Sequence, residues 1–275
     1  MTTTLRPAPP GNRAEVETGD WYAICANGRP IGRLHLAAGG RWGDGTGWID
    51  HIEVLASRRR RGHGCVALLT AEEVLRRLGC GRVAVEVPEG NLPGLRLATS
   101  LGYVFDSRYL VARVRGGGGA ERTPPEPPAG MTLAPMSASA HETWRDDAWH
   151  RYVALLTGIG WSRRAAESRA CARLSGGETT AYELGAADGA RAGVVWLDPS
   201  PAVPGRAEVR AVEVYDSWHG QGHGRLLLRT AEHLAYAAGL GELGLELVGP
   251  VPAARHIAAE LGYRTQARQL GKMIL

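Results

Sequence analysis

Sliding the chain along itself by 160 positions aligns Glu53–Tyr103 with Glu213–Tyr263 without a gap, and 17 of those 51 positions are identical. Among them are Gly62/Gly222, His63/His223, Gly64/Gly224, Glu72/Glu232, Gly79/Gly239, Glu86/Glu246 and the triplets Leu101-Gly102-Tyr103 and Leu261-Gly262-Tyr263. A period this long exceeds any solenoid repeat, so the chain holds two copies of one domain. Between them Arg115 to Gly130 (RGGGGAERTPPEPPAG) has five glycines, four prolines and no large apolar residue, the composition of a linker. The expected division is a first domain over 1–114, the linker over 115–130, and a second domain over 131–275.

Each copy reads as the same order of elements. Trp21–Ala26 and Ile31–Ala37 form a hairpin around Asn27-Gly28, and Tyr182–Leu184 and Ala192–Leu197 repeat it around Asp188-Gly189. A strand follows (Trp48–Leu55; Glu208–Tyr215), then a glycine loop and a helix. Leu68, Ala71, Leu75 and Leu78 share one helix face, as do Leu228, Ala231, Ala235 and Ala238. Gly79 and Gly239 end these helices. Alternation at Val83, Val85, Val87 and at Leu243, Leu245, Leu247 gives the next strand, and a short helix and a last strand close the copy. The fold class is α/β with a mixed sheet flanked by helices. The second copy opens with extra sequence, a strand at Met131–Pro135 and helices near His141–Leu156 and Arg163–Leu174. The first has about twenty Pro- and Gly-rich residues there and reads as truncated at its N-terminus.

The glycine loop carries the chemistry. It reads Arg59-Arg60-Arg61-Gly62-His63-Gly64 in one copy and His219-Gly220-Gln221-Gly222-His223-Gly224, followed by Arg225, in the other. A strand-to-helix loop presents unpaired N–H groups and the positive end of the helix dipole, and glycines let a phosphate approach the backbone. Adjacent arginines add charge-assisted bonds, so a pyrophosphate ligand is expected. Walker A is excluded because no Gly-Lys-Ser/Thr follows. Gly62-x-Gly64-x-x-Ala67 with Glu86 matches a dinucleotide fingerprint, but no further βαβ units follow and Leu227 replaces Ala67 in the second copy.

These residues resemble the GNAT N-acyltransferase superfamily, specifically its tandem two-domain members. The family signature Arg/Gln-x-x-Gly-x-Gly/Ala is met by Arg59, Gly62 and Gly64; the second copy keeps Gly222 and Gly224 but has His219 in place of Arg/Gln. The Asn that follows the next strand is Asn91 in the first copy, where the second has Val251. The resemblance implies a cleft where two parallel central strands splay apart and hold acetyl-CoA or another acyl-CoA. The pantetheine arm would pair near Val54 or Val214, and the pyrophosphate would meet the loops Arg59–Gly64 and His219–Arg225. An amine of a small molecule would attack the thioester directly in a ternary complex. The family's base positions lie four and six residues before Val54 and Val214; these are Trp48 and Asp50, and Glu208 and Arg210. Glu208 is the preferred base and Asp50 the second candidate. The tyrosine acid of the family is absent, because Ala98 and Ala258 stand at its positions. The extra helices of the second copy favour that copy for catalysis.

Plainer readings stand beside these. The run Arg58–Arg61 has the alternatives of a solvated loop and a nucleic-acid contact, but it leads into a helix start and phosphate fits better. His219 and His223 have a zinc-like spacing without a third ligand, so no metal is expected. Glu86 and Glu246 read as ion-pair residues. A carrier-protein thioester is the alternative donor, and a non-catalytic acyl-CoA-binding module the alternative function. The charge of +4, from 32 bases against 28 acids, is too balanced to imply nucleic acid. No apolar run reaches the ~20 residues of a membrane span, and Cys25, Cys65, Cys80 and Cys171 form no CxxC pair. A cytoplasmic monomer or homodimer with reduced thiols is the expectation.

Overall fold

The computed structural model describes residues 2–9, 19–39, 43–114, 124–175, 180–199 and 203–274. Two compact units form, and neither follows the linear division at the linker. Unit 1 consists of residues 1–107, 152–172 and 267–275, and unit 2 of residues 108–151 and 173–266. The linker expectation falls in part on residues 115–123, outside the described residues.

Unit 1 opens with β1 (Thr3–Ala8), β2 (Asp20–Ala26), β3 (Arg29–Ala38) and β4 (Thr46–Val54), an antiparallel series. The β2–β3 turn works as its sequence requires, with Asn27 at φ 47° and Gly28 at φ 78°, the left-handed pair of a tight hairpin. Helix α1 (His63–Arg77) follows β4, and Gly79 at φ 84° terminates it. Then come β5 (Arg82–Pro88) parallel to β4, α2 (Leu92–Ser100) and the start of β6 (Val104–Arg113). Leu68, Ala71 and Leu75 of α1 pack on Ile24, Leu34, Leu36, Ile49 and Val83, as the helix periodicity predicts, whereas Leu78, expected on the same face, caps the helix and is exposed. Gly47 makes this possible, because a β-carbon there would lie 2.6 Å from Leu75.

The chain's final strand, β12 (Arg264–Met273), completes this sheet. Residues 267–273 run antiparallel to β5, from Ala267 opposite Pro88 to Met273 opposite Arg82. Leu270 enters the core, and Lys272, the sole lysine of the chain, places Nζ 2.8 Å from Glu72 of α1. The first copy, read from its sequence as truncated at the N-terminus, nonetheless opens with a strand, β1. TTLRPA shows little alternation, but an edge strand needs little, and it tolerates Pro7. What the first repeat is short of is length: eleven residues separate β1 from β2, against forty-four between β7 (Met131–Pro135) and β8 (Thr180–Ala186).

Helical cover in unit 1 comes from residues 152–172, the end of α3 (Ala138–Gly158) and most of α4 (Arg163–Leu174). Gly43, at φ 82°, lets this segment come close, since a β-carbon there would lie 2.5 Å from the backbone of Ser168. Trp161 fixes it from within: its indole N–H donates to Asp106 at 3.0 Å, and the Arg82 guanidinium lies 4.0 Å over its ring. Arg82 and Asp106 pair at 2.6 Å with both side chains 2% exposed. Gly271 of β12 is left without a side chain beside them, where a β-carbon would collide with both.

Unit 2 repeats the pattern. The antiparallel series is β7, β8, β9 (Arg191–Asp198) and β10 (Arg206–Val214). After α5 (His223–Ala237), β11 (Glu242–Val248) runs parallel to β10, and α6 (Pro252–Glu260) follows. Its last strand is the second part of β6, whose Leu110 and Ala112, with Val114 beyond its end, join Ala207, Val209, Leu228 and Leu243 in the core.

Candidate functional site

In each unit the two parallel central strands pair at their beginnings and then part. The β4–β5 register runs from Thr46/Arg82 to Ile49/Val85 and stops, although β4 continues to Val54. The β10–β11 register runs from Arg206/Glu242 to Val209/Leu245 and stops. At the same point each outer pairing slips by a residue, between His35/Leu36 opposite β4 and between Val209/Ala211 on β10. A bulge of this kind bends the strand and re-aims its side chains. The bend leaves the edge of β4 beyond Ile49, and of β10 beyond Val209, free on the side facing the next parallel strand.

The glycine loops follow. In unit 1 a 3-10 turn at Ala56–Arg58 leads to Gly62, which caps α1 at φ 79° with no side-chain cap for the first-turn amides. In unit 2 Gly222 caps α5 at φ 85°. Arg59 and His219 prove interchangeable in geometry: Arg59 Nε donates to the Val54 carbonyl at 2.7 Å, and His219 Nε2 donates to the Val214 carbonyl at 2.8 Å. The signature position thus fastens the loop to the end of its strand. Arg60 holds φ 60°, a left-handed conformation in which unit 2 uses Gly220 at φ 76°. A non-glycine residue there carries a backbone cost of about 1 kcal/mol or more.

A cleft of about 700 Å³ opens beside the unit 1 loop, lined by Ile52, Val54, Gly62, His63, Gly64, Cys65, Asn91, Leu97 and Ser100, with Arg58, Arg59, Arg60 and Arg96 among its charged walls. Arg61 is not part of that lining. Asn91 caps α2 by accepting from the Gly94 amide at 3.0 Å, whereas Val251 caps α6 without a side-chain bond. His63 is buried and bonded to Thr3 Oγ1 at 2.9 Å. His223 is buried against Trp218, ring centroids 5.8 Å apart. Both histidines thus shore up their loops from below, and His219 and His223 engage different groups.

The same positions in unit 2 differ in charge. Where unit 1 has Arg58, Arg60 and Arg96, unit 2 has Trp218, Gly220 and His256. Where Cys65 and Ser100 line the unit 1 cleft, Arg225 and Glu260 form an ion pair joining α5 to α6.

A smaller cavity of about 40 Å³ adjoins the unit 1 cleft, sharing Ile52, Asn91, Gly94 and Leu97, and Asp50 and Glu86 reach it. Asp50 sits at the bulge of β4 and pairs with His35 Nδ1 at 2.7 Å; the aspartate side chain is 33% exposed and the histidine 6%. Glu208 has different surroundings. It stands opposite Gly244 in the still-paired part of β10 and accepts a short bond from the Tyr109 hydroxyl. Burial pushes its pKa above 4.5 against the opposing pull of the Tyr109 bond and of Arg173, Arg206 and Arg210. Tyr109 in turn is pushed up by burial and by the Glu208 charge. Sequence reasoning missed Tyr109 because it belongs to the last strand of the first repeat. Glu246 forms the expected ion pair, with Arg173 at 3.3 Å, while Glu86 accepts from Gln269 at 3.4 Å. Ala98 and Ala258 lie buried in the two cores, so no acid reaches either cleft from those positions.

Among the described residues no helix is long and apolar enough to cross a membrane. The chain is similar in structure to a GCN5-related N-acetyltransferase from Sphaerobacter thermophilus (TM-score 0.60, 16% identity, covering 92% of this chain and 80% of that one). It is also similar to a functionally unknown conserved protein from Staphylococcus epidermidis (TM-score 0.53, 11% identity, 84% and 85% covered). A third similar structure is a GCN5-related N-acetyltransferase from Kribbella flavida (TM-score 0.51, 16% identity, 98% and 88% covered). Such identities speak for the fold alone. No functionally curated protein matches the chain. The family model described as Acetyltransferase (GNAT) family matches twice, over residues 5–103 and 142–263. With both repeats matched, each built on a splayed strand pair and a glycine loop, the chain belongs to the GNAT acetyltransferase family as a member with two copies of its domain.

Proposed function

We propose that unit 1 binds acyl-CoA, acetyl-CoA being the simplest donor, and transfers the acyl group to an amine of a small molecule. The carrying observation is the contrast between the two loops. Coenzyme A brings a pyrophosphate and a 3′-phosphate, and the unit 1 cleft is walled by four arginines, one of them held in a left-handed backbone conformation. At the equivalent positions unit 2 has Trp218, His219, Gly220 and His256, none of them an arginine, and its Arg225 is paired with Glu260. A cleft of about 700 Å³ is within the ordinary range for a ligand of this class. The free edge of β4 between Asp50 and Val54 offers backbone groups to the amides of a pantetheine arm.

Asp50 is the better base in this reading, although the sequence pattern favours Glu208. It borders the small cavity that adjoins the cleft where β4 and β5 part, within reach of a bound thioester, and its second oxygen is available to an incoming ammonium. Asp50 takes one proton from the ammonium; attack by the free amine then forms the new C–N bond, the C–S bond breaks, CoA leaves as thiolate, and the second N–H proton passes to that thiolate or to water. A thiol of pKa near ~8.5 leaves without a dedicated acid, in keeping with alanine at 98 and 258. The same arginines favour CoA over a carrier-protein thioester, which lacks the adenosine phosphates.

The test is native mass spectrometry of the full chain with CoA, together with turnover of Asp50→Asn and Glu208→Gln on a panel of primary amines. One CoA per chain, lost in Arg58→Ala/Arg60→Ala, and turnover abolished by Asp50→Asn are expected. Two CoA per chain, or abolition by Glu208→Gln alone, overturns the choice of unit 1.

A further inference from the structure

We propose that His35 is a positioning residue for acyl transfer, holding Asp50 so that one carboxylate oxygen faces the reacting amine. This rests on the reading of Asp50 as the base. His35 Nδ1 lies 2.7 Å from Asp50 Oδ1. An ionised carboxylate only accepts hydrogen bonds, so the proton of this bond belongs to Nδ1. That fixes the tautomer as well as the contact.

The ring has little freedom to do anything else. Trp48 stands edge-on to it at 6.4 Å and Trp21 lies tilted against it at 5.0 Å. On its other nitrogen, a β-carbon at Gly19 would lie 2.7 Å from Nε2, so the backbone at 19 closes over that edge. The slip in the β3–β4 pairing falls at His35/Leu36, the place where Asp50 is turned out of regular register. A carboxylate on a bulge has no neighbour in the ladder to orient it, and the buried imidazole supplies that orientation. The unit 2 counterparts are Trp196, which stands opposite Ala211 as His35 stands opposite His51, and Arg210, so unit 2 has neither half of the arrangement.

The result expected for His35→Leu is a drop in kcat of about tenfold to a hundredfold, the scale of a misaimed catalytic group. KM for acetyl-CoA should stay within about twofold. The assay uses acetyl-CoA and the primary amine of the panel that the unaltered chain acetylates fastest. His35→Asn keeps a donor N–H near the place of Nδ1 and should recover most of kcat. A His35→Leu kcat within twofold of the unaltered chain, a loss expressed in KM instead, or an asparagine variant no better than leucine overturns the proposal. Should the leucine variant fail to fold, nitrogen-15 spectroscopy of the full chain decides. A proton on His35 Nδ1 supports the inference, and a bare Nδ1 sinks it. Failure of the underlying reading looks different: Asp50→Asn would then retain full turnover, whatever His35 does.

Discussion

Replacing Arg59 separates two ways in which a signature arginine could serve a phosphate site. Its Nε–Val54 bond of 2.7 Å is charge-assisted, and such bonds contribute about 1.5–3 kcal/mol net when shielded. This one lies at the surface, where solvent screening reduces it to roughly 1–1.5 kcal/mol. Arg59→Ala should therefore weaken CoA binding about tenfold, at ~1.4 kcal/mol per decade. Arg59→His should hold affinity within about threefold, because His219 makes the equivalent bond at 2.8 Å in the other repeat. Isothermal titration with CoA at constant ionic strength measures both. If histidine proves as weak as alanine, the guanidinium charge acts on the phosphate directly and the fastening role is refuted.

Other outcomes follow from the buried polar groups. Asp106→Asn leaves the Arg82 guanidinium buried without its counter-charge, a loss of about 3–5 kcal/mol, and the calorimetric Tm of the transition containing unit 1 should fall by roughly 10 °C. Gly244→Ala would set a β-carbon 2.5 Å from Glu208 Oε2 and 2.6 Å from Oε1; overpacking of about 1–3 kcal/mol should appear as a shifted urea midpoint. Glu208 holds its proton more tightly in the folded chain than in the unfolded one. Its contribution to stability is therefore fully present below its ordinary value of 4.5 and is lost as pH rises through the raised one. Denaturation across this window should show that loss in the unaltered chain and its absence in Glu208→Gln.

Much of the architecture was legible because the two repeats repeat the same local signals. Asn27-Gly28 could only be a hairpin turn, Gly79 and Gly239 could only stop helices cheaply, and the Leu68–Leu75 face had to find a sheet. The glycine loops announced themselves for the same reason. Four things were not legible. Strand β1 carries one inward leucine in six residues, too weak a pattern to register. The last strands of the two repeats, ending in Leu110 and Leu270 on their inward faces, are alike in pattern, and nothing local says which core each enters. Tyr109 and Glu208 stand ninety-nine residues apart and meet only because of that choice. His35 was hidden differently: an odd polar residue on a strand acquires meaning only when a bulge across the ladder turns Asp50 toward it.

Unit 1 waits for residues 267–273 to supply the strand beside β5 and the lysine beneath α1. On a ribosome those residues emerge only after the whole of unit 2, so the arginine-walled cleft cannot mature until the second repeat has been made. Vectorial synthesis would ordinarily let a leading domain finish first; here the order is inverted, and an incomplete product of translation would carry the binding loop on an unfinished sheet.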